Sequence, residues 1–272
     1  MIKSLRDILV VCDMDNTLLA EKNELQACNQ ATINLLCALG GRFTIASVRS
    51  PESIKAALKN VRCSCPVIAC GGSLLFDMED NEAISLRTLN QESAIEAVQD
   101  VIHKFPDVGV EIMSTEGKVY VVQSNQNTTN HLKDETLSCV LCPVEQVPTP
   151  WFKVVFTAQP VVLRKVQEFT ASKVYADIYF MPTNFSCLEI MPQGVNKAYA
   201  LKELCKKELI PLENTIVIGG HFSDIELMKV AGYAVAVGNA PQEVKVVADK
   251  IVSNCADGGA GEYIYSLIKR YT

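Results

Sequence analysis

Ile8-Leu9-Val10-Val11-Cys12, running straight into Asp13-Met14-Asp15-Asn16-Thr17-Leu18-Leu19, is the stretch that decides the architecture. Five consecutive apolar residues read as a strand covered on both faces, as inner strands of parallel sheets are. The acidic turn starts where such sheets place their ligand crevice, beyond the carboxyl ends of the strands. Residues two apart on extended backbone project the same way, so Asp13 and Asp15 repel unless a cation, or a proton on one of them, relieves the charge. That pairing suits phosphoryl transfer. An ionised Asp13 beside bound Mg²⁺ attacks phosphorus, and a protonated Asp15 donates to the leaving oxygen and later activates water. A plain strand-ending turn made of Asp15-Asn16-Thr17 accounts for the same residues without chemistry.

Outward from this strand, short apolar runs alternate with helical patterns, the signature of βαβ units on a mostly parallel sheet. The spacing predicts a helix from about Leu25 to Leu39, a strand Phe43 to Ser47, a helix opened by Pro51 and reaching about Lys59, and a strand Pro66 to Cys70. From about residue 82 to 185 the rhythm changes to an α+β module. It holds a helix with Ile95, Val98, Ile102 and Phe105, a hairpin about Glu116-Gly117, and a further helix. The strand Trp151 to Thr157, a helix from about Pro160 to Thr170 and a strand Lys173 to Phe180 complete it. The first rhythm returns at Cys187, with helix Asn196 to Leu209, strand Thr215 to Gly219, helix Ser223 to Val230, strand Tyr233 to Val237 and helix Pro241 to Ala248. The expected fold is therefore α/β, a Rossmann-like core of residues 1–81 and 186–272 with an inserted domain at 82–185.

The chain has 272 residues, 49% hydrophobic and 21% charged, enough for one large domain or two smaller ones with a core that needs no staples. A formal net charge of -6 argues against broad nucleic-acid binding and leaves room for a local anion pocket. No apolar run approaches the ~20 residues of a membrane span. Eleven cysteines, an odd number on largely apolar faces, fit reduced thiols and a cytoplasmic setting.

Three further places carry candidate chemistry. Ser47 ends a strand just before Val48, Arg49 and a helix entrance, where a hydroxyl and free N–H groups bind anions or simply cap the turn. Lys197 follows the expected N-cap Asn196, and a lysine in a first turn opposes the helix dipole by roughly 0.3–1 kcal/mol unless an anion is near. Gly219-Gly220-His221-Phe222-Ser223-Asp224 leads from a buried strand into a helix, with Asp224 as a cap or a carboxylate at the edge of a metal site.

In this order the four elements resemble the haloacid dehalogenase superfamily, specifically the Cof-type phosphatases with an α/β cap inserted after the second motif. Asp13 to Leu19 is similar to the first motif, Pro66-Val-Ile-Ala-Cys-Gly-Gly to the strand before an Asn-Gly, and Glu189-Ile-Met-Pro-Gln-Gly-Val-Asn-Lys197-Ala-Tyr-Ala-Leu to the third. The tail from Ala231 through Asp249 is similar too. The resemblance implies Asp13 as nucleophile, Asp15 as acid/base, Ser47 as a hydrogen-bond donor to the phosphoryl group and Lys197 as charge partner. It implies phosphate contacts at Met14, Ser47, Val48, Lys197 and Ser223, and Mg²⁺ held by Asp13, Asp15 through its backbone carbonyl, and Asp224. Two departures stand out. Val48 replaces the glycine of Thr-Gly-Arg, and Gly220 and Ser223 replace the first Asp and the Asn of Gly-Asp-x-x-Asn-Asp. A carboxylate ~4 Å from a cation is worth at most about 4 kcal/mol per unit charge product, so its loss weakens Mg²⁺ by up to about a thousandfold.

The expected activity is Mg²⁺-dependent hydrolysis of small phosphate monoesters, of the sugar- or nucleotide-phosphate class, with a catalytically impaired phosphometabolite binder as the alternative. The expected partner is a small phosphorylated metabolite, with neither nucleic acid nor membrane. Cys139-Val-Leu-Cys142 lacks a second pair for a metal site, and Cys63, Cys65 and Cys70 lack a fourth ligand. His103 and His131 lie far from the motifs. Lys206-Lys207 reads as a wet helix face.

Overall fold

In a computed structural model, which describes residues 3–58 and 60–272, the strand Leu9–Asp13 is buried at every residue. It pairs in parallel with Thr215–Gly219 on one side and Arg42–Ala46 on the other. Both neighbours are apolar for the same reason: an inner strand of a covered parallel sheet has no wet face. The full sheet has eight strands in the order Lys250–Ile251, Tyr233–Ala236, Thr215–Gly219, Leu9–Asp13, Arg42–Ala46, Val67–Ala69, Leu74–Asp77 and Glu82–Leu86. The first six run parallel, and Leu74–Asp77 returns antiparallel to Val67–Ala69. Helix Ala27–Ala38 packs on Gly259–Tyr271, and Lys197–Lys207 packs on Ile225–Val230.

The chain forms two units, Met1–Ser85 with Asn196–Thr272, and Leu86–Val195. These limits differ from the expected 82 and 185, for a structural reason at each end. Glu82–Leu86 is the last strand of the eight-stranded sheet. At the other end Cys187–Pro192, expected to begin the return to the core, lies in the sheet of the second unit between Trp151–Thr157 and Ile178–Asn184. A short strand buried at every residue does not say which of two sheets it joins.

The second unit is a six-stranded sheet ordered Cys139–Leu141, Val119–Gln123, Gly109–Ser114, Trp151–Thr157, Cys187–Pro192 and Ile178–Asn184. Strand Ile178–Asn184 starts later than the expected Lys173, and Val174 is exposed in the turn before it. One face of the sheet, with Ile112, Val154, Phe156 and Ile190, packs with Ala94, Val98 and Val101 of helix Gln91–Lys104 and Val166 of helix Pro160–Ala171. The intervening residues Glu111, Lys153 and Glu189 are buried as well. Lys153 pairs with Glu189 at 2.9 Å. His131, on helix Gln126–Asp134, contacts Glu111 at 2.8 Å and Glu135 at 3.3 Å.

Smaller differences are local. The expected helix from Leu25 begins at Ala27, because Glu24–Leu25 pairs with Leu19–Ala20 in a short hairpin. Helix Pro51–Leu58 ends at the edge of the described residues, and the expected terminus Lys59 lies outside them. Cys70 leaves the strand Val67–Ala69 with φ +50° and opens a tight turn through Gly71 and Gly72.

Candidate active site

The sheet register sets Asp13 level with Ala46, so Ser47 follows one residue beyond it at the same end of the neighbouring strand. Cys12 is level with Ile218, which brings Gly219 and Gly220 to that end from the other side. Three loops leaving three adjacent parallel strands thus meet beyond their carboxyl ends, the ligand crevice of such sheets. Helix Lys197–Lys207 enters from a fourth direction. Asn196 caps it by accepting the Tyr199 N–H at 2.8 Å, as its sequence position predicts. Gly72 lets that helix approach: its φ is +106°, and a Cβ there would fall on the backbone of Asn196.

Lys197 Nζ donates to Asp13 Oδ1 at 2.6 Å and to Asp224 Oδ1 at 2.8 Å, and all three residues are buried. The unfavourable first-turn lysine thus has the anion its position calls for, twice over. Thr17 Oγ1 donates to the second oxygen of Asp13 at 2.7 Å. Asp224 Oδ2 accepts the N–H groups of Gly220 at 3.0 Å and His221 at 2.9 Å. Burial, then the Asp224 charge, push the Asp13 carboxyl up to about 7, with Lys197 opposing. Burial alone would lower the Lys197 ammonium, but Asp13 and Asp224 together hold it above its ordinary value. The two partners pull in opposite senses. Two carboxylates at hydrogen-bond distance outweigh one desolvation, so we take Lys197 as charged.

Asp15 faces elsewhere. Arg49 grips it in a two-pronged ion pair, Nε to Oδ2 at 3.0 Å and Nη2 to Oδ1 at 2.6 Å. Arg49 Nη2 also reaches Asn23 Oδ1 at 2.5 Å, and Nη1 reaches Ser53 Oγ at 3.3 Å. Asn23 sits between the two strands of the short hairpin that follows the acidic turn. Ser47 Oγ accepts the Arg49 N–H at 3.1 Å, which leaves its hydroxyl hydrogen to donate. His221 Nδ1 faces the Ser223 N–H and Oγ, each at 3.4 Å. Burial lowers the His221 imidazole below its ordinary value.

Of the residues singled out in the sequence, Asp13, Lys197 and Asp224 are in direct contact. Ser47 and Val48 follow at the level of Asp13, and Asp15 is tied to Arg49. Among the described residues no group of three or more His, Cys, Asp or Glu could hold a metal ion; the expected Mg²⁺ set of Asp13, the Asp15 backbone carbonyl and Asp224 calls on only two side chains. Of those two side chains, Asp224 is engaged by Lys197 and by the N–H groups of Gly220 and His221, while the Asp15 carboxylate, outside that set, pairs with Arg49. Gly220 adds none, and a Cβ there would meet Thr17 Oγ1, Val237 Cγ2 at 2.9 Å and the Asn16 carbonyl at 3.1 Å. What remains is the Asp13 carboxylate and the Asp15 carbonyl. Those oxygens still fit Mg²⁺, which commonly takes one or two carboxylates, water and the substrate's own phosphate oxygens.

Sequence reasoning gave Thr17 and Arg49 no role. Thr17 lies inside the acidic turn, four residues after Asp13, so its side chain returns to the carboxylate. Arg49 is only 7% exposed, and burial of an arginine implies a partner. The sequence names neither the burial nor the partner.

A family model of haloacid dehalogenase-like hydrolases matches residues 10–264, and the chain belongs to that family. Among its relatives is the 5-amino-6-(5-phospho-D-ribitylamino)uracil phosphatase YcsE of Bacillus subtilis (strain 168), 27% identical over 255 residues, 93% of this chain and 92% of YcsE. Solved structures share the fold. A haloacid dehalogenase-like hydrolase from Bacteroides thetaiotaomicron superposes with a TM-score of 0.85 at 21% identity, covering 96% of this chain and 99% of that one. The subclass IIB sugar phosphatase BT4131 gives 0.81 at 18% identity, over 96% of this chain and all (100%) of its own. No helix among the described residues is long and apolar enough to cross a membrane.

Proposed function

We propose that the protein is a phosphatase that hydrolyses small phosphate monoesters of the sugar- or nucleotide-phosphate class through an aspartyl-phosphate on Asp13. The observation that carries this reading is the buried ammonium of Lys197 set 2.6 Å from Asp13 and 2.8 Å from Asp224. Phosphomonoesters hydrolyse so slowly unaided that charge neutralisation and positioning must supply nearly all the rate.

Asp13 attacks phosphorus with the oxygen turned from Lys197, and the bond from phosphorus to the ester oxygen breaks. Lys197 offsets the charge of nucleophile and phosphoryl group. Ser47, with its hydroxyl hydrogen free to donate, and the N–H groups of Met14 and Val48 hold the phosphoryl oxygens, and Ser223 completes that shell. Asp15 gives the ester oxygen its proton and then takes one from the water that opens the aspartyl-phosphate. For the first of these steps it has to part from Arg49, so that contact gates the acid. Asp13 and the Asp15 carbonyl would hold Mg²⁺, and bound Mg²⁺ supplies positive charge against the phosphoryl oxygens.

The test is hydrolysis of p-nitrophenyl phosphate across a magnesium titration, with Asp13→Asn as control. Turnover that rises with metal and vanishes in Asp13→Asn supports the enzyme. Thermal stabilisation by phosphate esters without turnover supports a second reading, a phosphometabolite-binding protein, which the lack of a carboxylate at Gly220 favours.

A further inference from the structure

We propose that Asn239 is a positioning residue for the reaction at Asp13: its side-chain amide clamps the acidic turn and, through Thr17, sets where the Asp13 carboxylate stands. The inference rests on the reading of Asp13 as the nucleophile. It adds a residue that works through others.

The turn after Asp13 is one that needs holding. The N–H groups of Thr17, Leu18 and Leu19 all converge on one acceptor, the Met14 carbonyl, at 3.4, 3.0 and 2.8 Å. Asn16, in the middle, is left-handed with φ +55°, a conformation that residues with side chains adopt at a cost. Asn239, 223 positions later in the chain, donates from Nδ2 to the Asn16 carbonyl at 2.7 Å. That carbonyl begins the planar peptide whose other end is the Thr17 nitrogen, so fixing it fixes where the Thr17 side chain starts. Thr17 Oγ1 in turn donates to Asp13 Oδ2 at 2.7 Å, the oxygen turned from Lys197. One donor still leaves a lone pair there for attack. Asn239, the Asn16 carbonyl, Thr17 and Asp13 thus form one connected line.

The clamp is itself anchored. Asn239 Oδ1 accepts the Cys255 N–H at 2.8 Å. A carbonyl only accepts and an N–H only donates, so the two partners fix which way the amide points. The loop that carries it, beyond the strand Tyr233–Ala236, is tied on both sides. The Val237 N–H donates to the Gly219 carbonyl and the Gly238 N–H to the Ser253 carbonyl, each at 3.1 Å. Asn239 is exposed, so burial of its side chain does not explain its place. What the side chain supplies is the two hydrogen bonds. A mere staple between loops would make the same bonds, but only a positioning residue would pass its loss on to the chemical step.

The experiment is steady-state hydrolysis of p-nitrophenyl phosphate, with Mg²⁺ present, by the full chain and two variants whose folding is checked by urea denaturation. Asn239→Asp keeps the acceptor for Cys255 and sets a second acceptor against the Asn16 carbonyl, and Asn239→Ala removes both bonds without adding charge. Both are expected to lower kcat about tenfold and to leave KM within about twofold. Should Asn239→Asp fail to fold, Asn239→Ala decides. Thr17→Val cuts the next link, and on that background Asn239→Ala is expected to change kcat by less than about twofold. An unchanged kcat in folded variants, a KM that moves as far as kcat, or a full Asn239→Ala effect on the Thr17→Val background overturns the inference and leaves the phosphatase reading standing. A wild-type chain without turnover overturns both.

Discussion

One ammonium serves two carboxylates at Lys197, and the consequence of removing it is severe in two ways. Lys197→Met is expected to abolish hydrolysis and to cost about 3–5 kcal/mol in urea denaturation, because Asp13 and Asp224 are left buried and uncompensated. Retained stability with lost activity would mean the ion pairs are not coupled to the fold. Arg49 poses a subtler test. Arg49→Lys keeps the charge but cannot reproduce a two-pronged grip on Asp15. If Asp15 moves the protons as proposed and must first leave Arg49, the looser grip is expected to leave kcat undiminished with KM nearly unchanged, together with a shifted pH–rate limb. An unaltered pH profile would release Arg49 from its proposed role as the gate on Asp15.

Elements deliver these side chains, and their geometry was legible to different degrees. The strand Leu9–Asp13 and the loops at Ser47 and Gly219 follow from apolar runs ending in polar turns, so the sequence reading located that end of the sheet. The Asn196 cap was equally plain, and Asn196→Ala is expected to lower stability by about 1 kcal/mol in the same urea assay. Gly72 is different. Its glycine reads as a strand-ending turn, but what demands it is a backbone some 124 positions later in the chain, at Asn196. Gly72→Ala is expected to cost on the order of 2–4 kcal/mol and to depress activity by displacing the start of the Lys197 helix. Full activity in this variant would show the approach to be relaxed at no cost. The Arg49 grip on Asp15 and the place of Cys187–Pro192 share this character: each is fixed by a partner distant in sequence, which local periodicity does not encode. The resemblance to a family supplied roles for Asp13 and Lys197, but not the contacts of Asp224 with the N–H groups of Gly220 and His221.

At the scale of the molecule, two units rest on different interiors. The eight-stranded sheet has an apolar middle, whereas the second unit buries charge beneath helix Gln126–Asp134. There His131 is held by Glu111 and Glu135, with Lys153 and Glu189 paired on the same sheet face and the Cys187 thiol nearby. Burial opposes its charge, but the hydrogen bonds to the two glutamates raise the imidazole to about 11. A histidine raised on folding stabilises fully below its unfolded value near 6.5 and loses that contribution as pH climbs to the folded one. Thermal melts are therefore expected to show a stability decline between about pH 6.5 and 11 that His131→Gln lacks, and parallel profiles would refute the assignment. The central claim concerns Asp13, and one measurement reaches it directly. Asp15→Asn should still be phosphorylated by p-nitrophenyl phosphate, whose leaving group needs no proton, but should open the intermediate slowly. Rapid quenching of that variant into borohydride, followed by mass spectrometry, is predicted to find homoserine at position 13. Turnover with an unmodified Asp13, or a reduced carboxyl at another residue, would contradict the account.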